Sequence, residues 1–177
     1  MSALTRAQIL ALLEGLNERL RERNVTGELY LVGGAVLCLV HRTRTATRDV
    51  DALFEPTSII REIASEIAPA FGVPADWLND AVKGFMSPDA TFDDFLELSH
   101  LRILTASADY LLAMKAIAMR LGAEFHDEQD VRFLLRYVGI ESYEQALQIL
   151  EKYYPPELVP QKTLYALEEM IEQNGQR

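Results

Sequence analysis

The chain has 177 residues, 49% of them hydrophobic, which suits one domain with a substantial apolar core. A formal net charge of -10 argues against non-specific DNA binding, so any polynucleotide would have to be bound locally. The single cysteine, Cys38, excludes an internal disulfide, and its apolar neighbours predict a buried side chain. No apolar stretch approaches the roughly 18 residues of a membrane span, and the amino terminus does not resemble a signal peptide. We therefore expect a soluble, cytoplasmic protein without a membrane partner.

The first quarter of the chain predicts a helix followed by a strand, a helix and a second strand. Thr5 and Gln8 have the spacing of a capping box, and apolar residues at helical spacing follow them. The next three elements are predicted over "ELYLV", "AVLCLVH" and "DVDALF". Gly33 and Gly34 form the turn between the first strand and the buried helix.

The rest of the chain predicts two more strands among helices. A helix is expected over 57–71 and a short one over "ADWLNDAVKGF", and "FLEL" and "LRILT" are expected to be strands joined at Ser99-His100. After Ser107 four helical segments follow, separated by glycines and prolines. The sequence thus predicts an α+β fold with a small mixed sheet in residues 1–106 and a helical region in 107–177, packed together as one compact unit.

Two aspartates carry the first functional hypothesis. Asp49 and Asp51 are two residues apart on a predicted strand, so both side chains project from one face. Carboxylates this close repel each other unless a cation lies between them, and hard oxygen ligands suit Mg²⁺ or Mn²⁺. The alternative is a solvated edge strand that happens to carry two acids. Gly33 and Gly34 would let a phosphate approach the backbone, although a tight strand-to-helix turn needs the same residues.

Taken together, "LVGGAVLCLVHRTRTATRDVDALF" resembles the signature of the DNA polymerase β-like nucleotidyltransferase superfamily: hydrophobic-Gly-[Gly/Ser], a helix, then Asp-hydrophobic-[Asp/Glu]. "LLAMKAIAMR" and "DEQDVRFLL" are similar to segments of bacterial AbiEii-type abortive-infection toxins. The resemblance implies a nucleotidyltransferase core in which Gly33 and Gly34 hold the triphosphate. It also implies that Asp49 and Asp51 hold the metal, Mg²⁺ or Mn²⁺.

The resemblance implies further site residues. A third carboxylate usually comes from a neighbouring strand, and Glu97 is the acid within "FLEL", with an exposed strand acid as the alternative. Lys115 lies on an apolar helix face and needs an anionic partner, either Asp127 or Asp130 or a nucleotide phosphate. The resemblance favours the phosphate and a catalytic lysine. Among the arginines before the aspartates, Arg48 is the best placed for nucleotide binding because it adjoins the metal strand.

The expected function is a metal-dependent nucleotidyltransferase that moves a nucleoside monophosphate from an NTP to a protein or RNA acceptor. As a component of a toxin-antitoxin pair, it would also have a cognate antitoxin as a partner. The alternative is a catalytically silent module of the same fold that binds nucleotide or a protein partner. The position of Glu97 relative to Asp49 and Asp51 separates the two hypotheses.

Overall fold

A computed structural model describes residues 3–122 and 125–175 of the chain. It confirms the α+β prediction, with a mixed sheet of five strands and a two-stranded sheet. The α-helices are α1 (Arg6–Glu22), α2 (Gly33–Val36), α3 (Thr57–Phe71), α4 (Ala108–Ile117), α5 (Asp127–Val138), α6 (Tyr143–Tyr153) and α7 (Gln161–Gly175). The strands are β1 (Leu4–Thr5), β2 (Gly27–Leu31), β3 (Ala46–Thr47), β4 (Val50–Glu55), β5 (Leu78–Asn79), β6 (Phe92–Glu97) and β7 (Leu101–Ala106).

The chain divides into two compact units. The first comprises residues 1–86 and 92–106, and the second comprises residues 87–91 and 107–177. The main division between them follows β7, and the short segment before β6 groups with the helices. The first unit therefore contains all the strands of both sheets, and the second is built from α4 to α7.

The sheet of the first unit has the strand order β5-β4-β2-β7-β6. Strand β2 is antiparallel to β4 on one side and parallel to β7 on the other, while β6 and β7 form an antiparallel pair. Along β4, Val50, Ala52 and Phe54 are buried, whereas Asp51 between them is half-buried. Helices α1 and α3 pack against each other and contact β7 and β4, respectively. This arrangement fixes which side of β4 faces the core.

Several local predictions are confirmed. The Thr5–Gln8 capping box begins α1, and α3 covers the predicted residues before ending at Gly72, whose φ is 65°. The helix predicted over "AVLCLVH" forms as α2 and continues as a π-helical segment over Leu37–His41. Cys38 lies in that segment and is buried.

The helix predicted over residues 75–85 is wrong. This segment instead contains the buried Trp77, the short strand β5 and a 3₁₀ turn over Ala81–Phe85. The indole Nε1 of Trp77 donates to the carbonyl of Ala64 at 2.9 Å, and the carbonyl of Trp77 accepts from the amide of Val50 at 2.7 Å. Because the Trp77 carbonyl pairs with the residue that begins β4, the chain extends here instead of coiling.

The second unit is centred on α4, which contacts α5, α6 and α7. Its buried residues include Tyr110, Leu111, Leu112 and Ala113, so almost the whole circumference of this short helix is covered. Helix α6 begins at a capping box formed by Ser142 and Gln145, as predicted. None of the helices in the described part of the chain is long and apolar enough to cross a membrane.

The carboxylate of Asp109 connects α4 with α6. Oδ2 of Asp109 accepts hydrogen bonds from Lys152 Nζ and from Tyr153 OH, both at 2.7 Å. Its Oδ1 accepts from Ser107 Oγ at 2.6 Å and from the amide of Tyr110 at 2.9 Å. Burial alone would raise the pKa of Asp109, but the hydrogen bonds from Lys152, Ser107 and Tyr153 lower it overall. The ionised carboxylate therefore stabilises the helical unit.

We expect Asp109→Asn to destabilise the protein by about 2 kcal/mol near neutral pH, because the charge-assisted hydrogen bonds are lost. The lowered pKa means that the Asp109 contribution is present above the unfolded pKa of about 4 and is lost as the pH falls through the folded pKa. Urea denaturation of both proteins from neutral to acidic pH measures this. The difference in the free energy of unfolding between the parent and Asp109→Asn should become smaller in acid. The exposed control Asp89→Asn should differ little from the parent at any pH. A gap that is constant with pH would contradict the assignment.

Candidate functional site

Gly33 lies directly against Asp51. The amide of Val32 donates to the carbonyl of Asp51 at 3.0 Å, which extends the pairing of β2 with β4 up to the glycine turn. Gly33 has a φ of 64°, a left-handed conformation that strongly favours glycine. A Cβ at Gly33 would lie 3.3 Å from Oδ2 of Asp51. The missing side chain therefore leaves a cradle beside the carboxylate.

The two aspartates share one side of the sheet. Strand β4 begins at Val50, so Asp49 immediately precedes the strand instead of lying within it. Asp51 is paired in register with Asn79 of β5. The Nδ2 of Asn79 donates to Oδ2 of Asp49 at 3.4 Å, which places this amide beside both acids. The aspartate pair thus lies between the glycine turn on the β2 side and Asn79 on the β5 side.

Gly34 is packed for a different reason. It does not have a positive φ, but a Cβ there would lie 2.6 Å from Thr47 Oγ1 and 3.4 Å from Arg44 Nη1. Thr47 is buried, and its Oγ1 donates to the carbonyl of Asp49 at 3.2 Å. Gly34 is therefore required by close packing against β3, and the same threonine connects it to the first aspartate.

Among the arginines between the glycines and the aspartates, Arg44 lies against the glycine turn. It is half-buried beside Gly34, whereas Arg48 is exposed on the bend between β3 and β4. The sequence pattern favoured Arg48 because it adjoins the strand that carries the aspartates. The guanidinium that lies beside the glycine turn, however, is that of Arg44. Nucleotide binding by Arg48 stays a prediction.

The structure does not bring Glu97 to the aspartate pair. In the sheet, Glu97 is in register with Arg102, which is in register with Glu28, which in turn pairs with Glu55. Glu55 is the last residue of β4, at the opposite end of that strand from Asp51. Glu97 is exposed and lines a cavity of about 440 Å³ at that end of the sheet. The expectation of a third carboxylate from Glu97 is therefore corrected.

The residues present fit a hard divalent cation with a small set of protein ligands. Within residues 3–122 and 125–175, no group of three or more histidine, cysteine, aspartate or glutamate side chains could hold a metal ion. Asp49 and Asp51 supply two carboxylates beside the cradle left by Gly33. Mg²⁺ commonly binds one or two carboxylates and takes its other ligands from water and substrate phosphates. This donor set suits Mg²⁺ or Mn²⁺ bound together with a phosphorylated substrate.

Lys115 forms a charge cluster within the second unit. Its Nζ lies 3.0 Å from Asp130 Oδ2 and 3.8 Å from Asp127 Oδ1, and the three side chains are at most 14% exposed. Both acids that the sequence offered as alternatives to a phosphate thus lie near this lysine. The protein therefore provides the counter-charge that Lys115 requires, and a nucleotide phosphate is not needed to balance it.

Asp127 is also held by Arg120, in the segment that follows α4. The side-chain Nε and the backbone amide of Arg120 both donate to its Oδ2, at 2.8 and 3.1 Å. The guanidinium of Arg120 also lies 4.5 Å from the ring centroid of Phe125. Burial alone would raise the pKa of Asp127, but the bonds from Arg120 and the charge of Lys115 lower it overall. Asp127 is thus a stable anion that connects α4 with α5.

The chain was also compared with known families, proteins and structures. No family model, no curated protein and no solved structure matched the chain. The side chains around β4 and the resemblance of the three motifs are therefore the features that indicate a function.

We expect Lys115→Met to lower the free energy of unfolding by about 3 kcal/mol, since methionine keeps the packing of the stem but removes the ammonium from two buried carboxylates. The loss should occur without any nucleotide, as measured by chemical denaturation. The matched control is Lys162→Met, which removes an exposed lysine of α7 and should change stability by less than about 0.5 kcal/mol. Equal stability of the two variants would contradict a structural role for the Lys115 cluster.

We expect Gly34→Ala to destabilise the protein by about 1–3 kcal/mol because its Cβ would overlap Thr47 Oγ1. The same change made in a Thr47→Ala background should cost less, since the atom that it meets is gone. Chemical denaturation of the single and double variants measures this coupling. Additive losses would show that the glycine is needed for something other than this contact.

Proposed function

We propose that this protein is a metal-dependent nucleotidyltransferase that moves a nucleoside monophosphate from an NTP to a protein or RNA acceptor. The observation that carries the proposal is the close approach of the Gly33 backbone to Asp51, with Asp49 on the same side of the sheet. Glycine at this position admits phosphate oxygens near the two acids, and two carboxylates held close together suit a hard divalent cation.

The residues of the first unit have complementary tasks in this proposal. The helical segment over residues 33–41 begins at the glycines, so its first backbone amides can donate hydrogen bonds to phosphate oxygens. A divalent cation bound by Asp49 and Asp51 would neutralise the phosphate charge and align the transferred group. Arg44, beside Gly34, and Arg48, on the bend before β4, would contribute guanidinium groups to the same phosphates.

The motif resemblance alone supports a catalytic role for Lys115 in the proposed reaction. Its charge is balanced by Asp127 and Asp130, so the geometry of the second unit fits a structural role as well. The same resemblance supports an association with a toxin-antitoxin pair, in which a cognate antitoxin would be the protein partner. The nucleotide-binding step rests on independent residues, namely the glycines and aspartates of the first unit.

A second candidate function is a catalytically silent module of the same fold that binds nucleotide or a protein partner. The specific observation in its favour is the position of Glu97, which lies at the far end of the sheet from Asp51. A site with two carboxylates still binds a metal-nucleotide complex, but it has less negative charge with which to hold the metal during transfer.

We expect Asp49→Asn and Asp51→Asn each to keep the fold and to weaken MgATP or MgGTP binding by at least about 100-fold, because a neutral amide is a poor ligand for a hard dication. Isothermal titration calorimetry measures the affinity, and thermal melts confirm that the variants fold. The matched control is Asp93→Asn, which removes an exposed acid of β6 that lies on the other face of the sheet. If both site variants bind MgATP or MgGTP as tightly as the parent, the proposal of a metal site at Asp49 and Asp51 is wrong.

Incubation with each α-labelled NTP, Mg²⁺ and cell extract separates the two candidate functions. Label on an acceptor with the parent, and none with Asp49→Asn, supports nucleotidyl transfer. Tight MgNTP binding by the parent without any labelled acceptor supports the silent module.

A further inference from the structure

Asn79 lies beside the aspartate pair, on the edge strand β5 of the sheet. We propose that Asn79 is a positioning residue that orients the Asp49 carboxylate for Mg²⁺ or Mn²⁺ and makes the site selective for small, strictly octahedral cations. This inference rests on the proposed metal site and adds a residue to it that neither the motif resemblance nor the aspartate pattern indicates. The contact on which it depends is the 3.4 Å hydrogen bond from Asn79 Nδ2 to Asp49 Oδ2.

The orientation of the Asn79 amide is determined by its second partner. Its Oδ1 lies 3.1 Å from the backbone amide of Ala81, which can only donate a hydrogen bond. The oxygen of the side chain must therefore face Ala81, and the NH₂ group must face the carboxylate of Asp49. A carboxylate can only accept, so this assignment satisfies both ends of the amide.

The backbone that carries Asn79 is fixed on both sides. The preceding Trp77 is buried, with its indole bonded to the carbonyl of Ala64 and its own carbonyl bonded to Val50. The following Asp80 forms an ion pair with Arg61 of α3 at 2.7 Å. These anchors hold the two-residue strand β5 against β4, so the position of the amide does not depend on the amide itself.

The hydrogen bond has a defined chemical consequence for Asp49. It uses one lone pair of Oδ2, whereas no described residue donates a hydrogen bond to Oδ1, which is therefore the oxygen more open to a cation. A carboxylate held in this way favours one-oxygen coordination at a fixed angle. Mg²⁺ and Mn²⁺ take near-octahedral sets, whereas Ca²⁺ accepts flexible geometry and bidentate carboxylates. Loss of Asn79 should therefore weaken Mn²⁺ binding more than Ca²⁺ binding.

The experiment uses the metals alone. Mn²⁺ binding is followed from the electron paramagnetic resonance signal of the free ion, and Ca²⁺ affinity is obtained by competition in the same samples. Asn79→Ala should bind Mn²⁺ about 10–100-fold more weakly than the parent, in line with the loss of other residues that orient metal ligands. Asn79→Leu keeps most of the side-chain volume and should behave in the same way. The matched control Asp76→Asn removes an exposed acid three residues before Asn79 and should stay within about twofold of the parent, since an exposed charge contributes little.

The outcomes distinguish this inference from the proposed function. Weaker Mn²⁺ binding, a smaller change for Ca²⁺ and unchanged thermal stability in both Asn79 variants support the positioning role. Parent-like Mn²⁺ affinity in Asn79→Ala, while Asp49→Asn has lost it, overturns the role of Asn79 alone. Equal losses for Mn²⁺ and Ca²⁺ together with a lowered melting temperature show a structural residue and also overturn it. A parent that binds no Mn²⁺ overturns the metal site and the Asn79 role with it.

Discussion

The antiparallel pairing of β2 with β4 is the constraint on which the candidate site depends. Its register places Leu31 opposite Ala52, and the bond from the amide of Val32 to the carbonyl of Asp51 continues it to the turn. A slip by one residue would send Asp51 to the opposite face and would bury its carboxylate in the core. The apolar side chains of the two strands prevent that slip, because Leu29 and Leu31 must stay buried. The proposed chemistry is therefore held in place by ordinary core packing.

The sequence predicted most of the fold because most elements carry a clear period and clear ends. Helix α3 shows this, with apolar residues at helical spacing and a glycine at its end. The helix predicted over residues 75–85 is wrong because tertiary contacts determine the backbone of this segment. The pattern there is helical, but the buried indole of Trp77 and the pairing of its carbonyl with Val50 determine the backbone. No local signal contains that information, and Asn79 was missed for the same reason.

The candidate site was predictable where neighbours in sequence are also neighbours in space. Gly33, Gly34 and the two aspartates come from one short stretch of the chain, and the structure places them around one end of β4. Glu97 differs because its position depends on strand pairing across the sheet. Strand β6 pairs with β7 with a register shift between Asp94 and Leu96, and the hairpin carries Glu97 toward Glu28 instead. An acid within a predicted strand does not reveal toward which end of the sheet it lies.

The charge of the whole chain and the charge of the site have opposite consequences for a nucleotide. A net charge of -10 would repel an NTP, and the two aspartates are part of that charge. At physiological ionic strength, however, exposed charges are screened over about 8 Å, so only the groups near the glycine turn decide the local potential. The chain places Arg44 beside Gly34, with Arg42 and Arg48 on the same connection to β4. A neutral amide at Asn79, in place of a third carboxylate, limits the repulsion further while still orienting Asp49. In the proposed function, an acidic protein that repels polynucleotides would thus offer one local position to a metal-bound triphosphate.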